Sequence, residues 1–144
     1  MQLKRDTDYA IRILYCLRQN GDVGHTGERK GMTLSEIAMQ TGTPKLVAGR
    51  VCESLKEKGM IAAAGQDRAE RSYCSTETQS EYSLLDVIEA VEGTCQLFAV
   101  FDKRFAGYKS SENQIQKIQK QTEGVLAGAT LGVLFEMQDK NKMI

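Results

Sequence analysis

The residues best suited to chemistry are four cysteines and one histidine. Cys16, Cys52, Cys74 and Cys95 are separated by 36, 22 and 21 positions, with no C-x-x-C pair among them. Zinc ribbons and thioredoxin-like motifs keep their thiols close in sequence, because two ligands or two redox partners must meet on one turn. That spacing is missing here, and a reducing cytosol argues against structural disulfides. His25 lies in a glycine-rich polar stretch, GDVGHTGERKG. A Ser/His/Asp or metallohydrolase site would have to recruit that single imidazole, and no activated nucleophile or carboxylate pair emerges elsewhere. The chain does not read as an enzyme. Cys95 keeps three readings: metal ligand, redox switch or small packing residue.

A second chemistry is carried by charge. The formal net charge is zero, but residues 1–75 hold 12 Lys/Arg against 9 Asp/Glu, while residues 76–144 hold 7 against 10. A basic N-terminal half suits a polyanion. Lys45 and Arg50 suit guanine O6 and N7, whereas Leu46 and the Pro44 ring suit thymine methyls. Lys4, Arg5, Arg68 and Arg71 are better matched to phosphates, which position a protein without reading sequence. Thr33, Ser35, Thr43 and Gly49 complete the set of candidate DNA-binding residues. Asp67 and Glu70 interleave with Arg68 and Arg71, which lowers the electrostatic value of that stretch.

The elements that would position these residues are legible from local signals. Ala10, Ile13, Leu14 and Leu17 recur at helical steps over about residues 7–18. Thr33-Leu-Ser-Glu36 fits a capping box that opens a short helix with Leu34, Ile37 and Ala38 on its buried face, and Gly42 stops it. Thr43 as N-cap and Pro44 at the first helical position restart a helix through Val47, Val51 and Leu55, with Gly59 as its C-terminal stop. Two capped helices joined by a tight glycine turn make a helix-turn-helix. Residues 60–63 and 72–74 then read as a short hairpin around the turn GQDRAER. The order helix, turn, helix, hairpin predicts a winged helix, mainly α with a small β wing. Its second helix would enter the major groove.

Residues 83–93 predict another helix, with Ser83 and Asp86 as a cap pair, Leu84, Leu85, Val87, Ile88 and Val91 as the apolar face, and Gly93 as the stop. Phe98, Phe101, Phe105 and Tyr108 follow at near-helical spacing. Beginning near Ser111, Ile115, Ile118, Thr122, Val125 and Ala129 step by three and four, the seam of a short coiled coil. Gly124 and Gly128 allow close backbone approach on one side. Such a helix is marginal alone in water, so the sequence predicts a homodimer joined along this stripe. Thr130 is placed to cap a last short helix. The division expected is a winged helix-turn-helix region over 1–82 and a linking and dimerisation region over 83–144.

Apolar runs fall short of the about 18 residues that cross a bilayer, and MQLKRDTDYA lacks the apolar core of a signal peptide. The expected compartment is the cytoplasm, with no membrane association.

The segments DTDYAIRILYCL, LSEIAMQTGTPKLVAGRVCESLKEKGMI and above all SLLDVIEAVEG resemble the Rrf-two family of bacterial winged-helix regulators, and the resemblance runs along essentially the whole chain. It implies a homodimer, long crossed helices near the C-terminus and control of transcription, commonly repression. Two departures stand out. The family's wing usually carries a run of glycines before an aromatic, whereas GQDRAERSY has only Gly65 before Tyr73. Cluster-binding members place three cysteines after the SLLDVIEAVEG helix, whereas only Cys95 falls there. The resemblance also brings Asp8 into view, since in some members an acidic residue in the first helix reaches across the dimer as a ligand. A sensor built from Cys95 and Asp8, with His25, would be oxygen-rich and poorly matched to iron–sulfur chemistry. The expectation is no cofactor, with an iron–sulfur cluster on atypical ligands as the other case. For Cys95 as a thiol sensor, its place after a helix C-terminus disfavours the thiolate, so a cation such as Lys103 or Arg104 would be required.

The sequence thus predicts a homodimeric DNA-binding transcriptional regulator on an inverted repeat, read as a repressor that senses redox or iron status. A regulatory protein acting mainly through a partner, with weakened DNA binding, is the competing reading. RNA polymerase or a metabolic enzyme is the implied macromolecular partner beyond DNA and a second copy.

Overall fold

The computed structural model describes residues 5–20, 31–65, 70–93 and 109–142, and the side chains of all of these except 109–115 and 142. Helix α1 (Arg5–Asn20) buries Thr7, Ala10, Ile13, Leu14 and Leu17 along one face. Strand β1 (Met32–Thr33) leads into α2 (Leu34–Thr41), and α3 (Lys45–Glu57) follows after a three-residue turn. Strands β2 (Ile61–Ala63) and β3 (Ser72–Ser75) form the wing hairpin. A 3-10 turn (Gln79–Glu81), α4 (Leu84–Glu92), α5 (Lys109–Gly128) and α6 (Leu131–Lys142) complete the chain. The mainly helical winged architecture expected from the sequence is present. No helix among the described residues is long and apolar enough to cross a membrane.

The helix ends have local chemical causes. Thr33 accepts from the Glu36 N–H at the start of α2, and Gly42 closes that helix with φ +68°, a conformation that favours glycine. Helix α3 ends in a Schellman motif. Gly59, at φ +79°, donates to the Lys56 carbonyl, Met60 donates to the Leu55 carbonyl, and the Met60 and Leu55 side chains are both buried. At α4 the capping box is complete, with Ser83 and Asp86 each accepting the other's N–H. The expected cap at α3 is corrected. The N-cap is Pro44, whose carbonyl accepts from Ala48 at 2.8 Å, while the Thr43 hydroxyl is buried against that of Thr41 at 2.8 Å.

The sheet has one more strand than the sequence suggested. Its order is β1-β3-β2, antiparallel throughout, with Met32 opposite Tyr73 and Ala62 opposite Cys74. Gly31, just before β1, sits where an added Cβ would fall 2.3 Å from that of Ala64, so only glycine allows the two edges to approach.

A single apolar cluster draws Ile13, Leu14, Ile37, Val51, Leu55, Ile61 and Tyr73 together with Val87, Leu131 and Phe135, so the core takes residues from both sides of position 82. Fully burying such a side chain is worth roughly 1.5–3 kcal/mol, which makes this cluster the main stabilising feature. Buried Gln79 links the elements by donating to the Leu14 carbonyl at 2.9 Å and accepting from Ser75. The α5–α6 junction is tied to the head of α4, because Leu84 donates to the Ala129 carbonyl and Leu131 to the Tyr82 carbonyl, both at 2.8 Å. Helix α6 then lies on α1, where the Phe135 ring packs tilted against Tyr15, centroids 5.2 Å apart, and Tyr15 donates to Asp139 at 2.7 Å. As expected, Thr130 caps α6, accepting from the Val133 N–H at 3.4 Å.

Among the described residues, the stripe on α5 is left largely open to solvent. Val125 is 72% exposed and Ile118 48%, with Thr122 and Ala129 half-buried. Added Cβ atoms at Gly124 and Gly128 would meet open space. The side chain of Ile115 lies outside the described residues, as do the four aromatic positions between 98 and 108.

Candidate nucleic-acid interface

Helix α3 buries Ala48, Gly49, Val51, Cys52 and Leu55, which turns its N-terminal outer face to solvent. On that face Pro44, Lys45, Leu46 and Arg50 are exposed, Leu46 at 92%. A leucine this exposed has no packing role in the chain itself. Gly49 is buried, and an added Cβ would come within 3.2 Å of the Arg71 guanidinium and 3.4 Å of Leu34. Its part is to let α3 close on α2 and on the wing, and the buried Thr43 holds the preceding turn. Both were expected among the DNA-binding residues, and both are buried behind the exposed face of α3.

Three described cations of this surface are matched by carboxylates. Lys45 lies 3.0 Å from Glu70, Arg50 lies 2.8 Å from Asp6 on α1, and Arg71 lies 3.3 Å from Glu53 on α3. Arg5 is exposed at the start of α1. Lys4 and Arg68 lie outside the described residues, as do His25 and Cys95.

Glu53 is a hub. It accepts from the Tyr73 hydroxyl at 2.6 Å and pairs with both Arg71 and Lys56. The Tyr73 hydrogen bond, with Lys56 and Arg71 adding to it, holds the Glu53 carboxyl below the usual carboxylate range despite some burial. Burial and the Glu53 charge together push the Tyr73 hydroxyl well up. This group fixes the wing against α3. Between them lies an open cleft of about 270 Å³, lined in part by Glu53, Glu70, Arg71 and Tyr73.

The N-terminus of α2 is capped from the wing. Leu34 donates to the Arg71 carbonyl at 2.9 Å, Ser35 donates its N–H to Glu70 at 3.0 Å, and Glu36 donates to Thr33. Thr33 is thereby a cap, whereas the exposed Ser35 also points its hydroxyl at Glu70. Glu70, Glu53 and Asp6 are the residues that sequence reasoning did not assign to the site. The interleaving of Glu70 with the wing arginines was the only visible signal.

Two of the thiols within the described residues, Cys52 and Cys16, are poor nucleophiles. Burial, reinforced by Glu53 and opposed by Arg71, pushes the Cys52 thiol up to about 12. Burial also raises Cys16, against a hydrogen bond from Asn20. Asp8 is committed to Arg12 at 2.8 Å. Among the described residues no group of three or more His, Cys, Asp or Glu is placed to hold a metal.

Comparison with known proteins gives a consistent pattern. The model of the Rrf2 family, described as iron-dependent transcriptional regulator, matches residues 3–137. The oxidised form of CymR from Staphylococcus aureus superposes with a TM-score of 0.68 at 18% identity, covering 94% of this chain and 97% of that one. IscR from T. potens gives a TM-score of 0.73 at 16% identity, covering 100% and 93%. CymR, the global cysteine regulator of B. subtilis, gives 0.64 at 16% identity, covering 95% and 98%. No curated protein sequence matches the chain.

Proposed function

Because the chain belongs to the Rrf2 family of DNA-binding transcriptional regulators, we propose that it acts in the cytoplasm as a homodimeric repressor on an inverted-repeat operator. The observation that carries this reading is the solvent face of α3, where an almost fully exposed Leu46 stands between the cations Lys45 and Arg50. An apolar side chain flanked by guanidinium and ammonium groups matches a major-groove edge that offers thymine methyls beside guanine acceptors. Arg5 and Arg71 suit the flanking phosphates.

The largely open stripe Ile118, Thr122, Val125 and Ala129 on α5 supports the dimer. Gly124, inside this helix and costing roughly 1 kcal/mol against alanine, has no packing reason among the described residues. Two-fold pairing there presents two α3 helices, so half-sites lie whole helical turns apart.

Redox input is proposed at Cys95, just beyond α4, whose head is clamped to the α5–α6 junction. The donor set does not fit an iron–sulfur cluster. One thiolate follows α4, and the carboxylate that the family pattern would add, Asp8, is a hard oxygen ligand poorly matched to the cluster irons.

Selection of bound duplexes from a random pool, followed by anisotropy titration, tests the reading. The expected result is an inverted repeat bound at about 10⁻⁸ M or tighter, with affinity falling steeply as salt rises. Failure to retain any duplex at about 50 mM salt overturns it.

A further inference from the structure

The Glu70 side chain, two residues ahead of β3, has three donors, and none belongs to the wing hairpin. The Ser35 N–H and hydroxyl reach it from the first turn of α2, and the Lys45 ammonium reaches it from the first turn of α3. An N–H at a helix start, a hydroxyl and an ammonium form a donor set that suits a phosphate oxygen as well as it suits a carboxylate. The same donors, the Ser35 hydroxyl foremost and then Lys45, hold the Glu70 carboxyl below its ordinary range. The donors also lie on the side of the molecule that carries exposed Lys45, Leu46 and Arg50.

We propose that Glu70 is an autoinhibitory phosphate mimic, occupying in the free protein the place of one DNA backbone phosphate and leaving it when a duplex docks. The proposal rests on the DNA-binding reading above and adds its regulation. Two features argue against a purely structural cap. A cap at α2 needs no cation, yet Lys45 is recruited from another helix. Moreover, the remaining first-turn donors are satisfied without a charge, Leu34 by the Arg71 carbonyl and Glu36 by the Thr33 hydroxyl.

The consequence is a binding surface whose charge is masked until a polyanion competes for it. Asp6 on Arg50 and Glu53 on Arg71 lower the same surface potential, but neither pair includes a helix N–H. Glu70 is therefore the carboxylate that a phosphate replaces atom for atom. Removing its charge frees Lys45 and Ser35 for the backbone, and this gain does not depend on base sequence.

The test compares the full chain with Glu70→Gln and Glu70→Ala. The glutamine variant keeps a neutral, weaker acceptor for Ser35 that a phosphate can displace, which guards against a folding defect in the alanine variant. Anisotropy is measured on a random duplex and on the selected operator over a salt series. Both variants are expected to bind both duplexes about tenfold more tightly at moderate salt, with the logarithmic salt slope steeper by about one unit. Equal or weaker binding with an unchanged slope overturns the proposal. A readout without DNA uses inorganic phosphate, which should shift the Ser35 amide resonance in the variants and leave wild type unmoved. No shift in the variants also overturns it. If neither wild type nor variants retain any duplex while phosphate still shifts Ser35 in the variants alone, the DNA-binding reading fails and the Glu70 masking stands.

Discussion

The Tyr73 hydroxyl donates to the Glu53 carboxylate over 2.6 Å, so the central strand of the wing is bolted to the middle of α3. Tyr73 is fully buried, whereas Glu53 keeps contact with solvent and with Lys56 and Arg71. Replacing Tyr73 with Phe removes the donor and leaves a carboxylate that still has two cations. The expected loss is about 1 kcal/mol, read as a lower urea midpoint with unchanged slope. The wing should also swing more freely, giving faster amide exchange at Ser72 and Cys74 than in wild type.

The same pair sets a pH window. Glu53 titrates lower in the folded chain than its ordinary 4.5, so its contribution is present above that value and is lost as pH falls through the folded pKa. Tyr73 titrates above its ordinary 10, so its contribution is full below 10 and is lost as pH rises through the folded value. The contribution of this pair to the urea midpoint should therefore be flat between these limits and fall on both sides, with the raised Cys52 and Cys16 thiols adding to the alkaline fall above their ordinary 9.0. Glu53→Gln should shallow the acid limb, and Tyr73→Phe the alkaline one. An acid limb unchanged in Glu53→Gln contradicts the assignment.

The helix signals were legible because they are local. Ser83 with Asp86, Gly42, Gly59 and Thr130 act within four residues of their partners, and each lies where the chain pattern put it. Strand β1 was not legible, since two residues carry no periodicity and Met32 finds Tyr73 only through the folded chain. Thr43 misled because its hydroxyl has a second use, the buried bond to Thr41, that competes with capping. The basic and apolar residues of α3 were readable from helical spacing. Their carboxylate partners were not, because Asp6 lies 44 positions from Arg50 and no local rule joins them.

Thiol chemistry should separate the cysteines. With the Cys52 thiol pushed up to about 12, roughly one molecule in 10⁴ carries the thiolate at pH 8. Cys52 should resist a thiolate-selective reagent until the chain unfolds, and Cys16, also raised, should react slowly. Cys74 is 8% exposed on β3, so any rapid phase in native protein that survives in Cys74→Ala is then expected to vanish in Cys95→Ala. A rapid phase that survives in that variant and disappears in Cys52→Ala contradicts the burial argument.

Leu46 offers a clean separation of binding from stability. At 92% exposure its truncation to Ala leaves the unfolding midpoint within about 0.5 kcal/mol of wild type. Loss of a thymine-methyl contact should lower affinity for the selected operator about tenfold and leave random duplex binding unchanged. Lys45→Ala should differ in kind. It removes a charge shared with Glu70, so its effect on random duplex should grow as salt is lowered.

Val125 tests the dimer. It is 72% exposed on α5, in line with Ile118 and Thr122 at helical spacing, so a charge there costs a single chain little. Across a two-fold seam the same substitution places two like charges face to face in an apolar strip, each stripped of water. Val125→Asp should therefore leave the circular dichroism of the folded chain intact while shifting its light-scattering mass to that of one copy. Because each operator half-site would then be bound independently, operator affinity should fall by about 10²-fold or more. A variant that remains dimeric and binds the operator as wild type does would place the interface elsewhere on the molecule.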